Sequence, residues 1–238
     1  MKKIIGIFPT VKIDEESHLY RKCYEFIIHY SHKIYDAKAI PIGLVLDNGH
    51  INEEQLSLCD AFLLPGGHRI DNSVFELLLY AYKNHIPVLG ICMGMQELSI
   101  FSVILDELKQ EELTITNILN KYESLKNNPV ITKIKTGVSH DVPLATEPLS
   151  KAFHKINLSQ DNCLYDLYKT SEIEVVCLHN YEANRVGSLF KVIATSFDGV
   201  IEAIESTDKT LFWLGTQFHP EANPQDKIIK WFIDTLGQ

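Results

Sequence analysis

The sequence predicts an α/β fold: a mainly parallel central sheet flanked by helices, with an additional antiparallel hairpin region. Two observations predict it. Short apolar runs alternate with amphipathic stretches through the first hundred residues, the pattern of a parallel sheet covered on both faces. Later in the chain several strand-like runs lie close together, with Asp198-Gly199, a strong hairpin signal, between two of them. At 238 residues and 45% apolar content the chain can bury a substantial core, and it is read as one domain over 1–238.

Taken in order, "KKIIGIF" is the first strand, and Leu19, Cys23, Phe26, Ile27, Tyr30 and Ile34 at helical spacing predict a helix over 17–35. "AKAIPIGLV" and "AFLLP" are the second and third strands, "SVFELLLYAYKNH" a helix and "IPVLGI" the fourth strand. Residues 106–128 turn polar and read as a solvated surface connector of helix or loop. "EVVCL", "LFKVIATSF", "VIEAIE" and "LFWLGTQF" read as strands. The last stretch, "PQDKIIKWFIDTLGQ", opens with Pro224 and spaces Ile228, Trp231, Phe232 and Leu236 as one helical face.

Charge narrows the function. With 22 basic against 31 acidic residues the net charge is -9, which argues against nucleic acid or an anionic membrane as partner and favours a small molecule. No apolar run approaches the ~18 residues of a membrane span, and the opening "MKKIIGIFPT" reads as a strand, not a signal segment. Five cysteines without paired spacing suggest neither a disulfide framework nor a zinc knuckle, so a cytoplasmic setting is expected. His29 and His32 could share a helix face, but no third metal ligand stands at suitable spacing. The other cysteines, Cys23, Cys59, Cys163 and Cys177, read as packing residues, with Cys177 placed near the candidate site.

The stretch that carries chemistry is "HIPVLGICMGMQEL". Gly90-Ile91-Cys92-Met93-Gly94 has the spacing of a nucleophile elbow, a sharp turn from strand to helix that presents its central residue at the sheet's carboxyl edge. There the helix N-terminus favours a thiolate, the reactive form. An isolated pattern of this kind equally describes an inert buried cysteine. The balance shifts with "GTQFHPEAN", in which His219 follows a strand and Glu221 stands two residues on: an imidazole to take the thiol proton, a carboxylate to fix its tautomer. "LLPGG" adds Gly66 and Gly67 after another short strand, whose amides, with that of Met93, could form an oxyanion hole.

Together "LLPGG", "GICMGMQEL" and "GTQFHPE" resemble the class I glutamine amidotransferase-like superfamily. Within it the chain is more similar to stand-alone gamma-glutamyl hydrolases, including gamma-glutamyl-gamma-aminobutyrate hydrolase, through "IIGIFPT", "SHDVPL", "VVCLHN" and "SFDGVIEAIE". The resemblance implies a flavodoxin-like fold, Cys92 as nucleophile, His219 as base and then acid, and Glu221 as its orienting residue. It also implies Gly67 and Met93 as oxyanion donors and Gln96, His179 and Gly66 as substrate-binding. The implied reaction is attack on a γ-glutamyl amide, release of an amine and hydrolysis of a γ-glutamyl thioester, with no metal or organic cofactor required. The implied partner is a small γ-glutamyl compound, and a homodimer is compatible with it. Three features depart from the hydrolases: Met93 replaces a common arginine, Val176, Cys177, His179 and Asn180 replace a usual run of asparagine, serine and paired histidines, and "HRIDNSVFE" lacks a longer insert.

Two alternatives stand beside this reading. A glutaminase subunit that hands ammonia to a separate synthetase would share the triad, and a non-catalytic binding or sensing module would share the fold. His68, Arg69 and Asp71 lie in the loop after the glycines, where substrate contact competes with exposure and helix capping.

Overall fold

The computed structural model describes residues 1–13, 22–109, 111–142 and 147–237. Nine strands form one sheet: β1 (Ile4–Ile7), β2 (Ile40–Gly43), β3 (Ala61–Leu64), β4 (Val88–Ile91), β5 (Phe153–Leu158), β6 (Glu172–Val176), β7 (Phe190–Ser196), β8 (Ile201–Ser206) and β9 (Trp213–Thr216). Their spatial order is β6-β5-β7-β8-β9-β4-β3-β1-β2. From β2 to β9 every pairing is parallel, and from β9 to β6 every pairing is antiparallel. The predicted hairpin region is therefore an extension of the central sheet, joined to it at β9.

The parallel strands are buried on both faces, and their side chains alternate between two cores. Phe62 and Leu64 of β3 point to one, with Met95, Leu98, Phe101 and Trp213. Ala61 and Leu63 point to the other, with Ile5, Ile7, Tyr30, Ile34 and Phe232. The first core is covered by α3 (Val74–Asn84), α4 (Met93–Leu108) and α5 (Ile115–Ser124), the second by α1 (Ile28–Asp36) and α7 (Ile228–Thr235). Two shorter helices, α2 (Glu53–Ser57) and α6 (Cys163–Tyr168), begin under Asn52 and Asn162, whose side chains accept hydrogen bonds from first-turn amides.

Two expectations need correction. The helix predicted over 17–35 begins only at Ile28, because Lys22–Glu25 instead forms a strand paired with Thr10–Ile13. The apolar spacing through Cys23 and Phe26 mimicked a helical face; residues 14–21, which include the start of that predicted helix, lie outside the described residues. The segment 106–128 is more than a solvated connector. Its helix α5 buries Ile118, and the following turn buries Leu125, while the Tyr122 ring packs at a tilt against Phe75 of α3, with centroids 4.8 Å apart. The strand β5 was not anticipated: "FHKINL" mixes exposed polar with buried apolar positions and is too short for its period to stand out.

Asp198-Gly199 does join β7 to β8, with Gly199 at φ 89°, a conformation glycine adopts without a Cβ penalty. Among the described residues no helix is long and apolar enough to cross a membrane.

Candidate active site

The site is built at the carboxyl ends of β3, β4 and β9, where open α/β sheets place their ligands. Cys92 lies between β4 and α4 with φ 53° and ψ −104°, a strained conformation for a residue with a side chain. Three contacts hold it there. Its amide donates to the Thr216 carbonyl at 2.7 Å, and its own carbonyl accepts from the Gln96 amide at 3.2 Å. The third is close approach: a methyl group on Gly94 would lie 2.3 Å from the Leu64 carbonyl oxygen, and one on Gly90 would lie 2.6 Å from backbone atoms of Gly94. Only glycine lets the start of α4 press onto β3 and β4 in this way.

His219 hangs from the other side of β9. Its amide donates to the Val176 carbonyl at 2.8 Å, and its Nδ1 pairs with Glu221 Oε1 at 2.6 Å. With Nδ1 engaged by a carboxylate, Nε2 is the nitrogen left for chemistry; it is buried and makes no hydrogen bond. Gly66 shows where it faces. A methyl group there would stand 2.9 Å from His219 Cε1, 3.3 Å from the Tyr30 hydroxyl and 3.4 Å from Cys92 Cβ, so the imidazole, the phenol and the cysteine converge on one glycine. Burial works against the His219 imidazolium, but Glu221 and then the Cys92 sulfur outweigh it and hold the imidazole pKa well above its ordinary value.

The structure brings together Cys92, His219, Glu221, Gly66, Gly67 and Met93. The Met93 side chain lies over Gly67, with Met93 Cε 2.5 Å from where a methyl group on that glycine would be. Met93 is the first residue of α4, so its amide has no partner within the helix. The Gly66 amide is not free in this way: it donates to the Tyr30 hydroxyl at 2.9 Å. Gln96 is buried one turn into α4, and its amide nitrogen donates to Gln217 Oε1 at 3.1 Å and to the Tyr181 carbonyl at 3.3 Å. His29, His32, His68 and Arg69 are exposed. Asp71 accepts from both the amide and hydroxyl of Ser73 and so organises the start of α3, the simpler of its two readings. Of the other cysteines, Cys23 is exposed, which does not fit a packing role, and Cys177 follows the Val176 carbonyl that holds His219.

His179 belongs to a second group of side chains that spacing did not reveal. The buried carboxylate of Glu202 on β8 lies 3.3 Å from His140 Nδ1, 3.3 Å from His154 Nε2 and 3.6 Å from His179 Nε2. Cys177 Sγ is 3.9 Å from the same carboxylate. Burial pushes the Glu202 carboxyl up, but the three histidines beside it outweigh it and hold the pKa well below the usual range. Tyr30, Gln217, His140, His154, Asp198 and Glu202 were all missed as site residues. "SHDVPL", "SFDGVIEAIE" and "GTQFHPE" contain four of them, His140, Asp198, Glu202 and Gln217, and gave the signal.

With the geometry established, comparison with known proteins decides the family. The family model for Peptidase C26 matches residues 71–221. The chain belongs to the Peptidase C26 family. Cys92, His219 and Glu221 all fall inside the matched part of this Peptidase C26 chain. It is 28% identical to a glutamine amidotransferase-like protein of Rickettsia prowazekii, over 92% of this chain and 91% of that one. It is also 29% identical to the CTP synthase of Helicobacter hepaticus over 75% of this chain, spanning 36% of that enzyme's length. Among solved structures, a glutamine amidotransferase from Thermotoga maritima superposes with a TM-score of 0.57 at 13% identity, covering 99% of this chain and 96% of that one. A glutamine amidotransferase from Methylobacillus flagellatus gives 0.56 at 14%, covering 93% of this chain and 71% of that one. These two likenesses show the amidotransferase-like fold.

Proposed function

We propose that the protein hydrolyses a γ-glutamyl amide, a γ-glutamyl amine such as γ-glutamyl-GABA or a related compound, through Cys92, His219 and Glu221. The observation that carries this reading is the convergence of the strained Cys92 and the Glu221-bound His219 on Gly66. The Cys92 thiolate attacks the γ-carbonyl carbon, and the oxyanion that forms is held by the amides of Met93 and Gly67. His219 Nε2, having taken the thiol proton, returns it to the departing amine as the carbon–nitrogen bond breaks. Water, deprotonated by the same imidazole, then cleaves the γ-glutamyl thioester and frees the thiol. Glu221 keeps the imidazole in the tautomer both steps need. Gln96 is proposed to stand on the glutamyl side of the pocket, through its carboxamide oxygen, since its nitrogen is engaged.

A second reading is favoured by the CTP synthase relatives, of whose length this chain spans about a third: a glutaminase that passes ammonia to a separate synthetase. The same chemistry would serve, with glutamine as substrate. Assaying the isolated chain on γ-glutamyl amines and glutamine separates them. Turnover of a γ-glutamyl amine by the chain alone supports the first reading; glutamine hydrolysis that needs a partner supports the second. Turnover of neither, with no labelling of Cys92 by a glutamine-analogue electrophile, would leave a binding or sensing module.

A further inference from the structure

We propose that His140, Cys177, His179 and Glu202 form a binding site for one divalent transition-metal ion, zinc by the chemistry of its donors. The four come from different parts of the chain: the loop at 140, the segment after β6 and strand β8. All four are buried, and one ligand atom from each lies within 4.8 Å of every other. Ligands of a tetrahedral zinc at ~2.0–2.3 Å stand about 3.3 to 3.7 Å apart, so the widest pair closes by about 1 Å on binding.

Hydrogen bonding fixes where the lone pairs point. His179 Nδ1 faces the Tyr181 carbonyl at 3.1 Å, and a carbonyl only accepts, so Nδ1 carries the proton and Nε2 is directed inward. His140 Nε2 lies 3.1 and 3.2 Å from the two oxygens of Asp198, so its proton sits there and Nδ1 is directed inward. Asp198 is itself held by Ser196 Oγ at 2.6 Å and by the Thr136 hydroxyl. A carboxylate behind a histidine in this arrangement orients a metal-binding imidazole.

The two inward nitrogens, His140 Nδ1 and His179 Nε2, are buried without a hydrogen-bond partner, and both approach the Glu202 carboxylate. Lone pairs directed at a carboxylate are destabilising unless a proton or a metal cation lies between them. A metal ion satisfies both nitrogens, the carboxylate and the Cys177 sulfur at once. A thiolate, two imidazoles and one carboxylate in a buried four-ligand set suit zinc above magnesium or calcium, which take oxygen ligands. His154, with Nε2 2.6 Å from Cys177 Sγ and 3.3 Å from Glu202 Oε1, borders the same group.

Cobalt(II), which replaces zinc and is coloured, tests the site. One equivalent added to the chelator-stripped full chain is expected to give a thiolate-to-cobalt charge-transfer band and the visible absorption of a tetrahedral site, both abolished by one equivalent of zinc. Cys92→Ser is expected to keep both signals, which separates this site from the catalytic sulfur. Cys177→Ser should lose the charge-transfer band. His179→Gln, which leaves every cysteine in place, should weaken cobalt binding by at least the ~10–100-fold that an outer-shell partner costs. No thiolate band in the wild type overturns the proposal, as does a band that vanishes in Cys92→Ser or survives undiminished in His179→Gln. Should Cys177→Ser not fold, the other three spectra decide. An imidazolium–carboxylate network without metal would appear as the first of these overturning results.

Discussion

The Gly66 amide donates its hydrogen bond to the buried hydroxyl of Tyr30, 36 residues earlier in the chain, at 2.9 Å. Burial, followed by the nearby Glu221 carboxylate, pushes the Tyr30 phenol well above its ordinary pKa, so it stays a neutral hydroxyl beside the candidate catalytic pair. Tyr30→Phe leaves the buried Gly66 amide without that partner and should cost about 1–3 kcal/mol of stability by urea unfolding. Because Gly66 touches His219, the variant should also lower kcat; unchanged kcat would mean that the glycine loop keeps its place without the phenol.

Cys92 should be separable into chemistry and strain. Cys92→Ala and Cys92→Gly are both expected to lose roughly 10⁶-fold in kcat on the best γ-glutamyl substrate. Only the glycine variant relieves the positive φ, so it should unfold at higher denaturant than the alanine variant, by about 1 kcal/mol. Equal stabilities of the two variants would show that the elbow is not strained.

Glu221 is the first of the groups that raise the His219 pKa, ahead of the Cys92 sulfur. A raised imidazole pKa contributes stability that is fully present below the unfolded value of ~6.5 and is lost as pH rises through the folded value. Glu221→Gln should remove much of that contribution, move the alkaline limb of the pH–rate profile to lower pH, and reduce kcat by about 10²–10⁴-fold. An alkaline limb that stays in place would assign that titration to another group.

Glu97, one position after Gln96, is wholly buried and neither carboxylate oxygen has a hydrogen-bond partner. Burial, aided by Asp71, pushes its pKa well above the ordinary range. The folded chain therefore holds a proton that the unfolded chain releases near pH 4.5, and stability should fall as pH rises from there towards the folded pKa, by up to about 1.4 kcal/mol per pH unit. Glu97→Gln should flatten this slope above about pH 5; a slope unchanged by the substitution would place its origin elsewhere.

Gly94→Ala places a methyl group 2.3 Å from a backbone oxygen of β3, an atom that no side-chain rotation can move away. A loss of about 1–3 kcal/mol is expected, together with reduced kcat as the start of α4 shifts. Thermal unfolding alongside the γ-glutamyl assay checks both.

The elbow and the His-Pro-Glu stretch were legible because each is a local pattern: Cys92 between Gly90 and Gly94, and Glu221 two residues from His219. Parallel strands such as "AFLLP" and "IPVLGI" were legible because burial on both faces makes them continuously apolar. The Glu202 cluster was not, since its members stand on separate strands and loops and meet only through the register of β5 to β9. Nor was the strand at Lys22–Glu25, whose pairing with Thr10–Ile13 overrode an apolar period that suited a helix.

The strand β9 links the two candidate catalytic side chains. On its parallel side the Thr216 carbonyl holds Cys92, and just past its end His219 is tied to β6 at the far edge of the antiparallel half. Warming that merely loosens the sheet along this line would pull sulfur and imidazole out of register while each half stayed intact. Catalytic output should therefore fade at temperatures where circular dichroism still reads native, making turnover the most sensitive thermometer this molecule offers.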